Sequence, residues 1–242
     1  MKLDVLVFAA HPDDAELSCS GAIAAFVARG KKVGIIDLTR GELGTRGTPT
    51  IREKEANVAS EILGISAREN LGFDDGFFVN DRTHQLRVID TIRKYRPEIV
   101  LANALQDRHI DHGRASQLVN DAFFLSGLKK IITYSIDGHL EEAWRPKALY
   151  HYIQDRYIQP DVIMDISDFW DTKMKAIQAF QSQFYTPNNP YQGEPHTPIS
   201  SKTFVDFLEA RAREFGRMIG VEFGEGFNKS VPVGVKDLFD LI

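Results

Sequence analysis

Two short stretches hold most of the side chains able to do chemistry. One is His11-Pro12-Asp13-Asp14. The other is Asp107-Arg108-His109-Ile110-Asp111-His112. A neutral imidazole and a carboxylate three residues apart suit a divalent metal, zinc in particular. Helix capping by one Asp competes for the first stretch, but it leaves His11 and the second Asp unexplained. In the other stretch, two histidines three apart at a helix start can face one centre, one binding metal while the other reaches substrate. A structural zinc site is closed and thiolate-rich, and the chain has a single cysteine, Cys19. A catalytic site with an open position fits better.

In such a site His11, Asp14 and His112 supply two nitrogens and one carboxylate, and water in the open position has a lowered pKa. Asp13, beside a ligand without being one, could accept that water's proton, with Pro12 holding it still. His109 could stabilise a developing oxyanion or protonate a leaving amine. Asp107 or Asp111 could orient a histidine from behind. Together these are the parts of a metal-assisted amide hydrolase. The alternative of a different class is a metal- or ligand-binding module without turnover, which has no use for Asp13.

The elements that must position these residues follow from the apolar pattern. Val5–Ala10 reads as a buried strand and Ala15–Arg29 as a helix stopped by Gly30. Val33–Thr39 is a second strand, so the segment is a βαβ unit with a right-handed crossover. The first turn is not Gly-x-Gly-x-x-Gly, and its two carboxylates would repel a pyrophosphate, which excludes a classical dinucleotide site despite Asp37. Glu98–Ala102 is a strand ahead of the second motif, and Arg114–Leu125 a helix after it. Both motifs therefore fall where a strand gives way to a helix. The C-terminal ends of parallel strands share one edge, and ligands bind there.

The remaining segments complete one α/β domain over residues 1–242 with a mostly parallel sheet. The glycine-rich loop Thr39–Thr48 either contacts substrate or is a surface excursion. Thr50 and Glu53 fit a capping box for a helix running to Leu63. Arg52 in its first turn opposes the helix dipole, so it either meets a substrate oxygen or is solvated. Asp75, in the turn after a short strand Glu69–Phe73, binds a sugar hydroxyl or serves the turn. Thr83–Tyr95 is a helix, Ala148–Ile153 and Val162–Ile166 are strands, and Asp168–Phe180 is a helix capped by Ser167. The loop Gln183–Pro198 carries Tyr185, Tyr191 and His196, which either cover a substrate or pack the loop. Thr203–Ile219 is a helix, and Phe223–Ile242 an apolar tail for docking or oligomer contact.

With 43% hydrophobic and 26% charged residues and a net charge of -5, the composition is that of an ordinary soluble protein without an electrostatic footprint for nucleic acid. No apolar segment is long enough for a bilayer, and the N-terminus lacks signal-peptide features. A lone cysteine, most simply a small buried helix residue, fits a reducing compartment, so a cytoplasmic location is expected.

His11-Pro12-Asp13-Asp14 and His109-Ile110-Asp111-His112, with the Gly41-Glu42 loop and Arg52 between them, resemble the PIG-L/LmbE-type N-acetylglucosaminyl deacetylases. The resemblance implies a Rossmann-like three-layer fold and a zinc enzyme that removes acetyl from N-acetylglucosamine derivatives. It implies His11, Asp14 and His112 as zinc ligands, Asp13 as general base, His109 as transition-state stabiliser or acid, and Arg52 as a substrate contact. Asn70-Leu71-Gly72-Phe73-Asp74-Asp75-Gly76 and Ser182-Gln183-Phe184-Tyr185 are similar to the bacillithiol-pathway branch. That similarity implies N-acetyl-alpha-D-glucosaminyl L-malate as substrate and a hexamer as assembly. Another small N-acylated sugar or amide is the alternative within the enzyme class. Ile110 departs from the family, where many members have Pro.

Overall fold

The computed structural model describes residues 1–135, 137–187, 189–191 and 193–241. Its elements are β1 (Val5–Ala9), α1 (Asp14–Ala28), β2 (Val33–Thr39), α2 (Pro49–Leu63), β3 (Ala67–Phe73), α3 (Arg82–Tyr95) and β4 (Ile99–Ala102). Then come α4 (Ile110–Ser126), β5 (Ala148–Tyr152), β6 (Val162–Asp165), α5 (Trp170–Gln178), α6 (Lys202–Ile219) and β7 (Gly224–Asn228). The strands form one sheet in the order β3-β2-β1-β4-β5-β7-β6. The first five run parallel, and β7 is antiparallel to both β5 and β6.

Alternation along β1 explains the layers. Leu6 and Phe8 face a core with Val88, Ile89 and Ile92 of α3 and Leu118 and Val119 of α4. Val5 and Val7 face the opposite core, with Ile23 of α1, Ala59 of α2 and Ile177 of α5. A strand covered on both faces has no polar side, which is why β1 reads as a continuous apolar run. The chain order turns outward in both directions from β1 and β4. Their C-terminal ends therefore flank the crevice where such folds bind ligands.

Four local expectations are corrected. The α2 cap is Thr48, whose hydroxyl accepts from Ile51 N, with Pro49 in the first turn. The Thr50–Glu53 box does not form, because a proline with preset φ moves the helix start forward. Helix α4 begins at Ile110, capped by His109, rather than at Arg114. Ser167 opens a 3-10 turn, Ser167–Phe169, and α5 starts only at Trp170. The segment after Phe223 is not simply a tail: Gly224–Asn228 is a fully buried strand inside the sheet. Ile242, the end of that expected tail, lies outside the described residues.

Helix α1 is broken at Cys19, which has φ -143° and ψ 16° and is itself buried. A buried ion pair fills the break. Glu225 of β7 accepts from Gly21 N (3.0 Å) and Ala22 N (2.7 Å). Lys173 of α5 donates to Leu17 O (2.7 Å) and to Glu225 (2.6 Å). Backbone groups orphaned by the kink thus find charged partners, and the first turn of α1 is fixed separately from the rest. None of the helices among the described residues is long and apolar enough to cross a membrane.

Candidate active site

The turn after β1 brings its side chains together through local strain. Asp13 sits at φ 117°, in the left-handed region that residues other than glycine rarely adopt. Arg52 of α2 holds it there, donating to Asp13 Oδ2 (2.8 Å) and to the Pro12 carbonyl. Arg52 also donates to Gly41 O (3.3 Å). Gly41 has φ +63°, and a Cβ there would lie 1.8 Å from Arg52 Nη1, so this contact demands glycine. Arg52 is buried rather than solvated, and its Nε has no hydrogen-bond partner among the described residues.

Asp14 is the meeting point of both motifs. Its Oδ1 lies 3.1 Å from His112 Nε2, and its Oδ2 lies 3.5 Å from His11 Nδ1. Oδ2 also accepts from His11 N (3.0 Å) and Asn103 Nδ2 (3.0 Å), and Oδ1 from Gln154 Nε2 (3.1 Å). Asn103 follows β4 directly and accepts from Ala10 N at 2.9 Å, tying β4 to the end of β1. Neither Asn103 nor Gln154 stands out in the sequence. The one signal for them is an amide just past the C-terminal end of a strand at the crevice edge.

His112 and His11 each meet a carboxylate on the ring nitrogen turned away from Asp14. His112 Nδ1 lies 2.5 Å from Asp107 Oδ2, which turns Nε2 towards Asp14. His11 Nε2 lies 3.0 Å from Asp75 and 3.3 Å from Asp111. Asp75 therefore spends one oxygen on His11, and the other accepts from Leu43 N at 2.9 Å. The His109 ring lies edge-on to His11, with centroids 4.6 Å apart, and 5.2 Å from His112. Asp111 N donates to His109 Nδ1 (3.3 Å), so a neutral His109 carries its proton on Nε2.

The protonation balance shows what the site requires. Burial alone would lower both His11 and His112. The carboxylates outweigh it, holding His11 well above its ordinary value and His112 at about 9. Burial likewise opposes ionisation of Asp14, yet His112 and His11 hold it well below the usual carboxylate range. This is a basin of negative charge that demands a positive one. A divalent cation meets the same demand in exchange for protons. The donor types fit: His11, His109 and His112 offer ligand atoms within 4.8 Å of one another, as do His11, Asp75 and Asp111. Asp14 belongs to neither group, but it meets both His11 and His112, and together they make a His/Asp/His group that could bind a metal. Two neighbours differ in charge state from the ligand candidates. Burial pushes Asp13 up to about 7 against the pull of Arg52. Burial, with repulsion from His11 and His112, lowers His109 and leaves it neutral.

His11, Asp13, Asp14, His109 and His112 all line a cavity of about 530 Å³. Arg52 and Asp75 line it, but Tyr185 and Tyr191 do not. Gln183 and Thr197 to Ile199 take the place expected of the loop tyrosines, because the segment packs Phe184 into the core instead.

The family described as PIG-L, GlcNAc-PI de-N-acetylase, matches residues 6–123, which enclose both motifs. A 4-oxalmesaconate hydratase of Pseudomonas putida is 30% identical over 88% of this chain and 90% of its own. The chain belongs to the PIG-L family. Within it, a diacetylchitobiose deacetylase of Thermococcus kodakarensis is 27% identical over 92% of this chain and 81% of its own. The crystal structure of the conserved protein TT1542 from Thermus thermophilus superposes with a TM-score of 0.83. It is 37% identical and covers 98% of both chains. Relatives of this PIG-L chain thus carry names from two reaction types, both of which add water to their substrates.

Proposed function

We propose that the protein is a zinc-dependent hydrolase that removes the N-acetyl group from an N-acetylglucosaminide. One observation carries this reading: Asp14 sits between His11 and His112 in the cavity lining, with buried Asp13 and neutral His109 beside them. A zinc ion held by His11, Asp14 and His112 would polarise the amide carbonyl and acidify the attacking water.

The chain's own groups supply the proton transfers. Asp13 Oδ2 is occupied by Arg52, which leaves Oδ1 to take the proton as water oxygen attacks the acetyl carbon. A base with a pKa near 7 can accept that proton and pass it on. His109 Nε2–H donates to the developing oxyanion. When the C–N bond breaks, the nitrogen leaves with a proton, and acetate and a free amine result.

The malate glycoside implied by the sequence resemblance is the specific candidate for the substrate. Other small N-acylated sugars or amides are the alternative. The hydratase relative supports a second reading, in which the same water adds to a double bond. The carboxylates in that relative's named substrate call for free cations. The cavity lining holds Arg52 and Arg108, and both face carboxylates already, so deacetylation is preferred. The reading further places the enzyme in the cytoplasm, as a single-domain chain in a homo-oligomer, a hexamer by the resemblance.

Acetate release by the zinc-loaded protein across several N-acetylglucosaminides tests the reaction. Asp13→Asn should keep zinc and lose about 10²–10⁴-fold in rate. Full activity in that variant would remove Asp13 as base. Retained zinc with no acetate from any glycoside in the unsubstituted protein would favour a module without turnover.

A further inference from the structure

The connection between α5 and α6, residues 179–201, forms no strand or α-helix among its described residues. Loops of that length are uncommon in a compact domain and are usually functional. Both ends reach the cavity: Gln183 near the start, and Thr197, Pro198 and Ile199 near the finish. The start is tied to α2, where the Glu55 carboxylate accepts from Ser182 N and Ser182 Oγ, both at 2.7 Å. The rest is gathered by one side chain from the glycine-rich loop after β2. Arg46 donates through Nε to Ser182 O (2.7 Å) and through Nη2 to Tyr191 O (3.0 Å). Its Nη1 donates to Glu194 O (3.3 Å) and Pro195 O (3.1 Å). Its own carbonyl accepts from Gln183 Nε2 (2.8 Å), and Gly47 N donates to Glu194 Oε2 (2.9 Å). Gly47 has φ +69°, and a Cβ there would lie 2.7 Å from Ser182 Oγ, so the two loops meet at a distance only glycine allows.

Arg46 is buried, and its acceptors among the described residues are all main-chain carbonyls. A buried guanidinium is costly unless its donors are matched. Here the planar fork matches oxygens that irregular chain would otherwise leave unpaired. Arg46 does not line the cavity, but its neighbours Gly44 and Thr45 do, as do Thr197 to Ile199 just beyond Pro195. We propose that Arg46 is a positioning residue for substrate binding: it holds residues 197–199 against residues 43–45 and so fixes the cavity wall that the two loops share. Leu43 N is bound to Asp75, which meets His11, so the wall is set in register with the candidate metal edge through the same loop. That the bound molecule is an N-acetylglucosaminide rests on the deacetylase reading. The placement of the wall does not.

Arg46→Ala and the milder Glu194→Ala test this by kinetics and by hydrogen exchange. A loosened wall weakens binding but leaves the reacting groups in place. Arg46→Ala should therefore raise KM about tenfold for N-acetylglucosamine or N-acetylglucosaminyl malate, with kcat and zinc affinity within about twofold of the parent. Glu194→Ala, which removes one hydrogen bond, should raise KM about threefold. In both variants, amide exchange measured by mass spectrometry without substrate should speed up over residues 194–201 and stay unchanged over α2. An unchanged KM, equal losses in kcat and kcat/KM, or weaker zinc binding overturns the positioning role, and so does unchanged exchange over residues 194–201. If Arg46→Ala does not fold, Glu194→Ala decides by the same readouts. If the parent protein releases acetate from neither compound, the deacetylase reading fails, and exchange alone decides whether Arg46 sets the wall.

Discussion

Asn103→Ala would test how Asp14 is held. Asn103 is fully buried and serves three partners: it accepts from Ala10 N and donates to Asp14 Oδ2 and Gln154 Oε1. Truncation leaves the Ala10 amide without an acceptor, at about 1–3 kcal/mol, and removes a bond to an ionised carboxylate, about 1.5–3 kcal/mol. Asp14 keeps His11 N and Gln154 Nε2, and the combined loss is about 2.5–6 kcal/mol. For a chain of this size that lowers Tm by roughly 5–24 °C. Asp14 would also be free to turn from His11 and His112, which should weaken zinc binding by about 10–100-fold. Thermal unfolding of the metal-free protein and zinc competition against a chromophoric chelator measure the two effects. A Tm within about 2 °C of the parent, with zinc affinity within about twofold, would refute this role for Asn103.

Lys173→Met strands Glu225 as a lone buried charge and uncaps the α1 kink, so it should cost about 3–5 kcal/mol. Adding Glu225→Gln should recover part of that loss in denaturant titrations, whereas equal loss in the single and double variants would contradict a paired role. Burial and the facing Glu141 push Asp90 up to about 6 from its ordinary 3.8. Because the folded value is the higher one, the protonated form stabilises the fold fully below pH 3.8, and that stability is lost as pH rises through about 6. Asp90→Asn should therefore raise Tm by about 1–3 °C at alkaline pH, a modest effect since the group is partly solvated. The difference should close in acid, and an offset independent of pH would exclude the repulsion.

Much of the site is legible in the chain. His11 and His112 meet because each follows a strand whose C-terminal end lies on one edge of a parallel sheet, and apolar runs mark those strands clearly. The rest depends on contacts without periodicity. Asn103 and Gln154 are single amides whose role exists only once β1, β4 and β5 are side by side. Gly224-Glu225-Gly226-Phe227-Asn228 has a poor strand pattern: its charge is buried against Lys173, and its glycines admit Phe215 and Ile163 at close range. Tyr185 and Tyr191 show why loop aromatics mislead. Their residue type suits substrate stacking, but nothing local says which way a loop side chain faces.

Anomalous diffraction from zinc-loaded crystals tests the central claim most directly. One zinc per chain is expected, with His11 and His112 nitrogens at about 2.0–2.1 Å and an Asp14 oxygen at about 2.0–2.2 Å. A zinc held instead by His109, or by Asp75 and Asp111, or no zinc at this edge, would contradict the account.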